Sequence, residues 1–413
     1  MTIDKQNYKI HYFETNKFNA TQLKIVFTKN MEDKDYTYGM LLKKMMKSSN
    51  RSFKNKRDLE VKMEENLVSW NDIVTKGQGK LFQFNVSVGF LNEGLLGLSP
   101  TEKNLDFLEK ILFNIKVEDE GFVKKDFIKQ KDIYMKSLKS LRDYPSDYAD
   151  LRFAKVFDDG GIFSLDSQGE IQFLEKCNEK SLYNFYKDML NNWKLDVFVL
   201  GKVDVDALEI KLDNLFREKR EVLNLVEYKN FIKSNSNDVN EVKEKFKTRQ
   251  SELRIGYTLE ELDFKEIVAT SKVLSDILNS TSGKLFKEVR EKHSLCYTIG
   301  ASFYQSHHVI EVFTKISAEN YEKTKSLIIG IFESLKNGVT IDELNDAKKT
   351  WVNNIKSAED SLFSFQRKII SKEFKEKYSN EEELSLINSV TLEDIVKLAN
   401  KIHLNTIYLL EEE

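Results

Sequence analysis

The chain has 413 residues, 40% of them hydrophobic and 11% aromatic, enough for two or more domains with sizeable cores and too apolar for disorder. Its 64 Lys and Arg nearly cancel its 67 Asp and Glu, leaving a formal net charge of −3, which gives no case for nucleic acid or an anionic membrane surface as partner. Two cysteines far apart in the chain argue against a disulfide framework; with no apolar leader and no run of 18 apolar residues, the expectation is a cytoplasmic protein, neither exported nor membrane-spanning.

In the first half, residues 21–28 (TQLKIVFT) alternate as a strand does. Helices are expected over 35–48 and 56–66, then strands over 70–74 and 81–90 around a glycine-containing turn at 76–80. Ser99-Pro100-Thr101-Glu102 reads as a helix start, with Ser99 accepting from free N–H groups, Pro100 at the first helical position and Glu102 reaching back. Leu105, Leu108, Ile111, Leu112 and Ile115 then share one helical face. Helices over 123–142 and 147–157 follow, and the apolar run 195–200 (LDVFVL) reads as a buried strand ending at Gly201.

The second half repeats the plan. A strand is expected over 252–258, a helix over 264–278, a short helix over 283–291 and a hairpin from 296–304 and 308–316. Helices over 319–337, 341–357, 360–374 and 392–402 carry cap signals at Thr340 with Glu343 and at Thr391 with Asp394, and a strand over 405–410 closes the chain. Between the halves, 229–249 is polar and charge-rich and reads as a linker.

Residues 283–297, GKLFKEVREKHSLCY, place an Arg and a Tyr seven positions apart at Arg290 and Tyr297. This text resembles the second-half signature of the insulinase-type zinc peptidases, the inverted zincins related to pitrilysin and the mitochondrial processing peptidase. The resemblance is strongest over 283–304, clear over 147–201 and weak before residue 100. It implies an α+β fold of two homologous domains related by internal duplication, each a mainly antiparallel sheet covered by helices. The domains would be 1–228 and 250–413, joined by 229–249. It also implies that Arg290 and Tyr297 bind the substrate peptide. Arg brings a fixed fork of donors and Tyr a single phenolic one, and both strengthen on a developing oxyanion. A strand opening at Tyr297 would further let an extended substrate pair with its edge.

The family's metal motif, His-x-x-Glu-His, sets two imidazoles one helical turn apart so that they share one ion. None of the five histidines, His11, His293, His307, His308 and His403, has a partner four residues away. Pattern alignment puts Gly39, Leu42 and Lys43 at the motif's three positions, and Ser137 near the downstream Glu ligand. None of these can hold zinc or activate water. There is also no Cys-x-x-Cys and no calcium-loop spacing. Cys296 would face the core as an inert thiol. Ser282-Gly283 lacks phosphate-loop spacing.

The resemblance therefore implies a non-catalytic, substrate-binding subunit of a heterodimeric zinc peptidase that degrades or processes peptides, for instance by removing leader peptides. Zinc would sit in a partner chain bearing His-x-x-Glu-His, and this chain would carry no cofactor. A structural or assembly protein of the same fold, and a homodimeric peptide-binding module, are the alternatives.

Overall fold

A computed structural model of the chain describes residues 1–413 except 49, 54, 218–219, 223, 233–238 and 375–377, and the side chains of the described residues except Lys56, Arg142 and Lys372. Two compact units divide it, Met1–Ser140 with Asp166–Glu227, and Leu141–Leu165 with Tyr228–Glu413. The excursion 141–165 thus packs with the second unit, although the sequence reading placed it in the first domain.

The first unit begins with β1 (Thr2–Asp4), β2 (Lys9–Phe13) and β3 (Ala20–Asn30), then α1 (Asp35–Ser48), α2 (Lys56–Glu65), β4 (Val68–Gln78) and β5 (Leu81–Leu91). It continues with α3 (Thr101–Phe113), the short pair β6 (Val117–Glu118) and β7 (Gly121–Phe122), and α4 (Lys124–Ser140). The chain then forms α5 (Pro145–Phe157) of the second unit and returns with α6 (Ile171–Lys176), α7 (Glu179–Asn192), β8 (Lys194–Leu200) and α8 (Val205–Leu215). Six of these strands form one sheet in the order β1-β2-β8-β3-β5-β4, so the strands expected near 21–28, 81–90 and 195–200 lie side by side. All its pairs are antiparallel except β2 with β8. Alternation in β5 explains its place: Phe82, Phe84, Val86, Val88 and Phe90 share one face, Gln83, Asn85 and Ser87 the other, and all are buried.

The start of α3 differs from expectation. Thr101 is held by Glu93, whose carboxylate accepts from the Thr101 N–H at 3.1 Å and its hydroxyl at 2.5 Å, and Pro100 makes no side-chain cap. A carboxylate eight residues upstream does what Ser99 and Glu102 were expected to do, and its charge suits the positive helix end.

The second unit adds β9 (Asn240–Phe246), β10 (Ser251–Leu259), α9 (Ser271–Asn279), β11 (Ile299–Tyr304) and β12 (Val309–Ile316). Helices α10 (Tyr321–Leu335), α11 (Ile341–Ala358), α12 (Leu362–Phe374), α13 (Asn380–Ser389) and α14 (Leu392–Asn400) precede β13 (Ile402–Glu412). The sheet order is β11-β12-β10-β13-β9, and β9 pairs in parallel with β13. The expected linker therefore supplies a strand; its residues 233–238 lie outside the described ones. Alternation of Val242, Glu244 and Phe246 with Lys243 and Lys245 suits a polar edge strand, which the charge count concealed. Thr340 with Glu343 and Thr391 with Asp394 form reciprocal capping boxes, as expected.

Both faces of this sheet are covered. On one, Leu253, Ile255, Tyr257, Val312 and Leu409 pack against Val273, Leu274, Ile328, Leu335, Leu398 and their neighbours. On the other, Ala149, Phe153 and Phe157 of α5 meet Val309, Tyr408 and Leu410. Gly256 permits this approach, since a Cβ there would lie 2.5 Å from Phe157 and 2.6 Å from Phe153.

A polar latch holds the first turn of α5. Buried Arg254 donates to Asp150 at 2.6 Å, to Glu252 at 3.1 Å and to the Ser146 carbonyl at 3.3 Å, and lies 3.4 Å from Glu311. Glu311 also takes a bond from Tyr304 at 3.1 Å. Burial, reinforced by Asp150 and opposed by Arg254, pushes the Glu311 carboxyl up to about 7.

Candidate functional site

The helix carrying Arg290 is wound wide, as a π-helical stretch over Phe286–Lys292; such turns are rare and frequent at functional sites. Leu285 and Val289 are fully buried in the second unit's core and fix its inner face. Phe286 and Arg290, one turn apart, lie on the half-exposed side. The chain then folds back through Ser294 at φ 53°, with the Ser294 N–H on the Arg290 carbonyl at 3.0 Å and the Leu295 N–H on the Val289 carbonyl at 3.1 Å. This hairpin bend brings Tyr297 against Arg290.

The Arg290 guanidinium carbon sits 4.6 Å from the Phe286 ring centre and 4.9 Å from that of Tyr297. Such contacts hold a cation by its face and leave its N–H edge available. Glu288 is engaged by Lys292 at 3.1 Å, and among the described residues no carboxylate forms an ion pair with Arg290. Tyr297 is 75% exposed. The structure thus brings together the two residues selected from the sequence.

Tyr297 does not open the strand as expected. β11 starts two residues later, at Ile299, and Tyr297 occupies an irregular bend. β11 is the outermost strand of its sheet, yet its edge is partly taken. The Asn279 side chain accepts from the Ala301 N–H at 2.6 Å and donates to the Ala301 carbonyl at 2.8 Å. One amide fills a strand neighbour's place, so edge pairing along β11 is blocked at Ala301. No pattern in the sequence pointed to Asn279. Cys296 is half-buried beside the core, and burial pushes its thiol up, away from nucleophilic reactivity.

At the expected metal positions the residues do not fit a zinc ion. Gly39 and Leu42 of α1 are buried. A Cβ on Gly39 would lie 2.7 Å from Thr75 and 2.8 Å from Phe82, so this helix touches the sheet where a ligand side chain would stand. Lys43 offers a cation, 4.0 Å from Asp72. Ser137 is exposed on α4, and it is Tyr134, one turn earlier, that meets α1, with the Lys44 ammonium 5.5 Å over its ring. Elsewhere in this unit lies a pair that sequence spacing could not show. His11 and Asp196, 185 positions apart on adjacent strands, are buried and bonded at 3.0 Å, with His11 stacked 4.5 Å from Phe198. Among the described residues, no helix is long and apolar enough to cross a membrane.

Comparison with known proteins agrees with this geometry. Residues 176–350 match the sequence profile of the Peptidase M16 inactive domain. The chain is 25% identical over 348 residues to a Bacillus subtilis protein named probable inactive metalloprotease YmfF, covering 82% of this chain and 80% of that one. A conserved protein from Enterococcus faecalis V583 shares the fold with a TM-score of 0.91 at 24% identity, covering 100% of this chain and 98% of that one. The peptidase M16 inactive domain from Pseudomonas fluorescens does so with a TM-score of 0.80 at 16% identity, again over 100% and 98%. With two helix-covered sheets and no ligand side chains at the expected metal positions, the chain is similar to M16-type peptidases in fold and, over residues 176–350, to the domain described as the Peptidase M16 inactive domain.

Proposed function

We propose that the chain is the non-catalytic, substrate-binding subunit of a zinc peptidase, acting with a partner chain that carries His-x-x-Glu-His and the zinc. The observation behind this reading is Arg290, held between two rings, without a carboxylate partner among the described residues, beside an exposed Tyr297. Side chains serving the core alone would be buried or paired; this pair presents donors outward. A peptide carbonyl or terminal carboxylate is the group such donors suit. The two free cysteines fit a reducing, cytoplasmic setting.

The test uses the chain assembled with its zinc-bearing partner. Arg290→Ala and Tyr297→Phe should each lower kcat/KM about a hundredfold, the usual effect of removing a donor that strengthens in the transition state, while gel filtration shows assembly intact. The double variant should lose less than the sum, because both donors serve one stretch of substrate backbone. Normal specific activity in whatever complex survives would instead favour a structural or assembly protein. Peptide binding by a homodimer, with no peptidase partner found, would favour the self-sufficient binding module.

A further inference from the structure

Near Asp72 in the first unit, lysines come together from three elements: Lys43 and Lys47 on α1 beside Asp72 itself, Lys24 on β3, and Lys76 on β4 close enough to act on Lys24. Asp72 is 3.3 Å from the Lys47 ammonium and 4.0 Å from that of Lys43, and its carboxylate also accepts from the Ile73 N–H at 2.8 Å. One carboxylate thus serves Lys43 and Lys47 directly and acts on Lys24 at longer range, with Lys76 adding repulsion at Lys24. Lys24 and Asp72 flank Ser87 in a single row across three strands, with no ion pair to Lys24 among the described residues. Half-buried Lys24 has its ammonium pushed down in pKa by burial and then by Lys76, with Asp72 too weak to offset them. Lys43 is lowered in the same way by burial, with Lys47 and Lys44 acting against Asp72. Cations at the end of α1 suit the helix dipole. That accounts for Lys43 and Lys47 but not for Lys24 and Lys76, which come from strands.

We propose that this cluster is a binding site for the carboxylate side chains of an acidic peptide segment, an inference that rests on the peptide-binding reading above and names its substrate class. An incoming carboxylate would relieve the repulsion and repay the desolvation these ammonium groups already bear. The lysines are spread over two strands and a helix. They suit several carboxylates along an extended chain better than one phosphate, which is gripped by groups converging on a single point. The strand edge is not what is on offer: the Ile73 N–H is given to Asp72, and that of Gly77 to the Tyr36 hydroxyl. What this surface presents is charge.

The test is fluorescence anisotropy on the full chain with a labelled peptide bearing several glutamates and a matched one bearing glutamines. The glutamate peptide should bind roughly tenfold more tightly at low salt, and the difference should shrink as salt rises. Lys76→Gln, at an exposed position, should cost about threefold for the glutamate peptide only, and Lys24→Gln with Lys43→Gln about tenfold. Lys76→Glu should turn the preference toward a lysine-bearing peptide, which loss of folding could not do. Arg290→Ala should weaken both peptides equally. Equal binding of the two peptides, with Arg290→Ala still weakening both, would overturn the acidic preference and leave the peptide reading standing. If neither peptide bound, both readings would fall. Displacement of the glutamate peptide by inorganic polyphosphate at lower concentration than by unlabelled peptide would make this a phosphate site and overturn the proposal.

Discussion

The same layered plan carries α1 in the first unit and the Arg290 helix in the second, but the two were treated in opposite ways. In α1, Gly39 and Leu42, where the metal motif was expected, serve packing, with Phe82 and Thr75 in contact distance of where a side chain on Gly39 would begin. In the Arg290 helix, Leu285 and Val289 do the packing, and Phe286 and Arg290 stay half-exposed beside exposed Tyr297 of the following bend. The first helix is committed to its core, whereas the second keeps polar groups exposed and buries less. The difference is testable, because it predicts which substitutions disturb stability and which disturb only binding.

Leu42→Ala should be the most damaging change, costing about 2–5 kcal/mol in urea unfolding, because Leu42 is fully buried and a cavity would remain. A loss under about 1 kcal/mol would mean that α1 is not packed as described.

Next comes a pH effect on the second unit. Because Glu311 is raised to about 7 from 4.5, the folded state binds its proton more tightly than the unfolded state does. Its effect on stability is therefore most favourable below about pH 4.5, is lost as pH rises toward 7, and amounts to about 3 kcal/mol in full. Glu311→Gln should remove that slope, leaving the variant relatively more stable above pH 7 than below pH 5. Melting curves across this range check it, and parallel pH profiles for the two proteins would refute the buried carboxyl. Asp35, at the start of α1, is raised in the same direction by burial despite Lys29 at 3.1 Å. The first unit therefore contributes a slope of the same sign that Glu311→Gln leaves in place.

Gly39→Val should cost about 1–3 kcal/mol by overpacking against Thr75 and Phe82. A neutral result would show that the helix can lift away from the sheet. Arg290→Ala and Tyr297→Phe should stay within about 0.5 kcal/mol of the parent chain, and a larger loss would assign the pair to the fold. The smallest effect is expected from metal removal: elemental analysis should find no stoichiometric zinc, and a chelator should leave the melting temperature unchanged. About one zinc per chain, lost in His11→Ala, would show that a site other than the expected motif positions holds metal.

How much of this was legible beforehand follows from what periodicity and motifs can carry. The strands near 21–28, 81–90 and 195–200 stood out because their apolar runs are long, and they do share a sheet. β9 was hidden because an edge strand with charged residues on one face looks like a linker. Helices α7 and α13 went unread although Asn178 with Ser181 and Ser379 with Glu382 form capping boxes at their starts, a signal that was available. The Arg290 and Tyr297 pair was legible because both residues lie in one short motif. Its wide helical turn was not, since a π turn is one extra residue accommodated by tertiary packing. The lysine cluster, the His11–Asp196 pair and the Asn279 plug each join residues from separate elements, where no spacing rule applies.

The insertion of 141–165 into the second unit has a consequence for biosynthesis. The aromatic side of α5 is finished when the ribosome passes Phe157, but its partners Tyr408 and Leu410 lie near the other end of the chain. At elongation rates of about 5–20 residues per second that interval is on the order of ten to fifty seconds. Until then Phe153 and Phe157 have only β10 and β12 to cover them, so the nascent chain carries a partly uncovered aromatic helix while the rest of its docking surface is made.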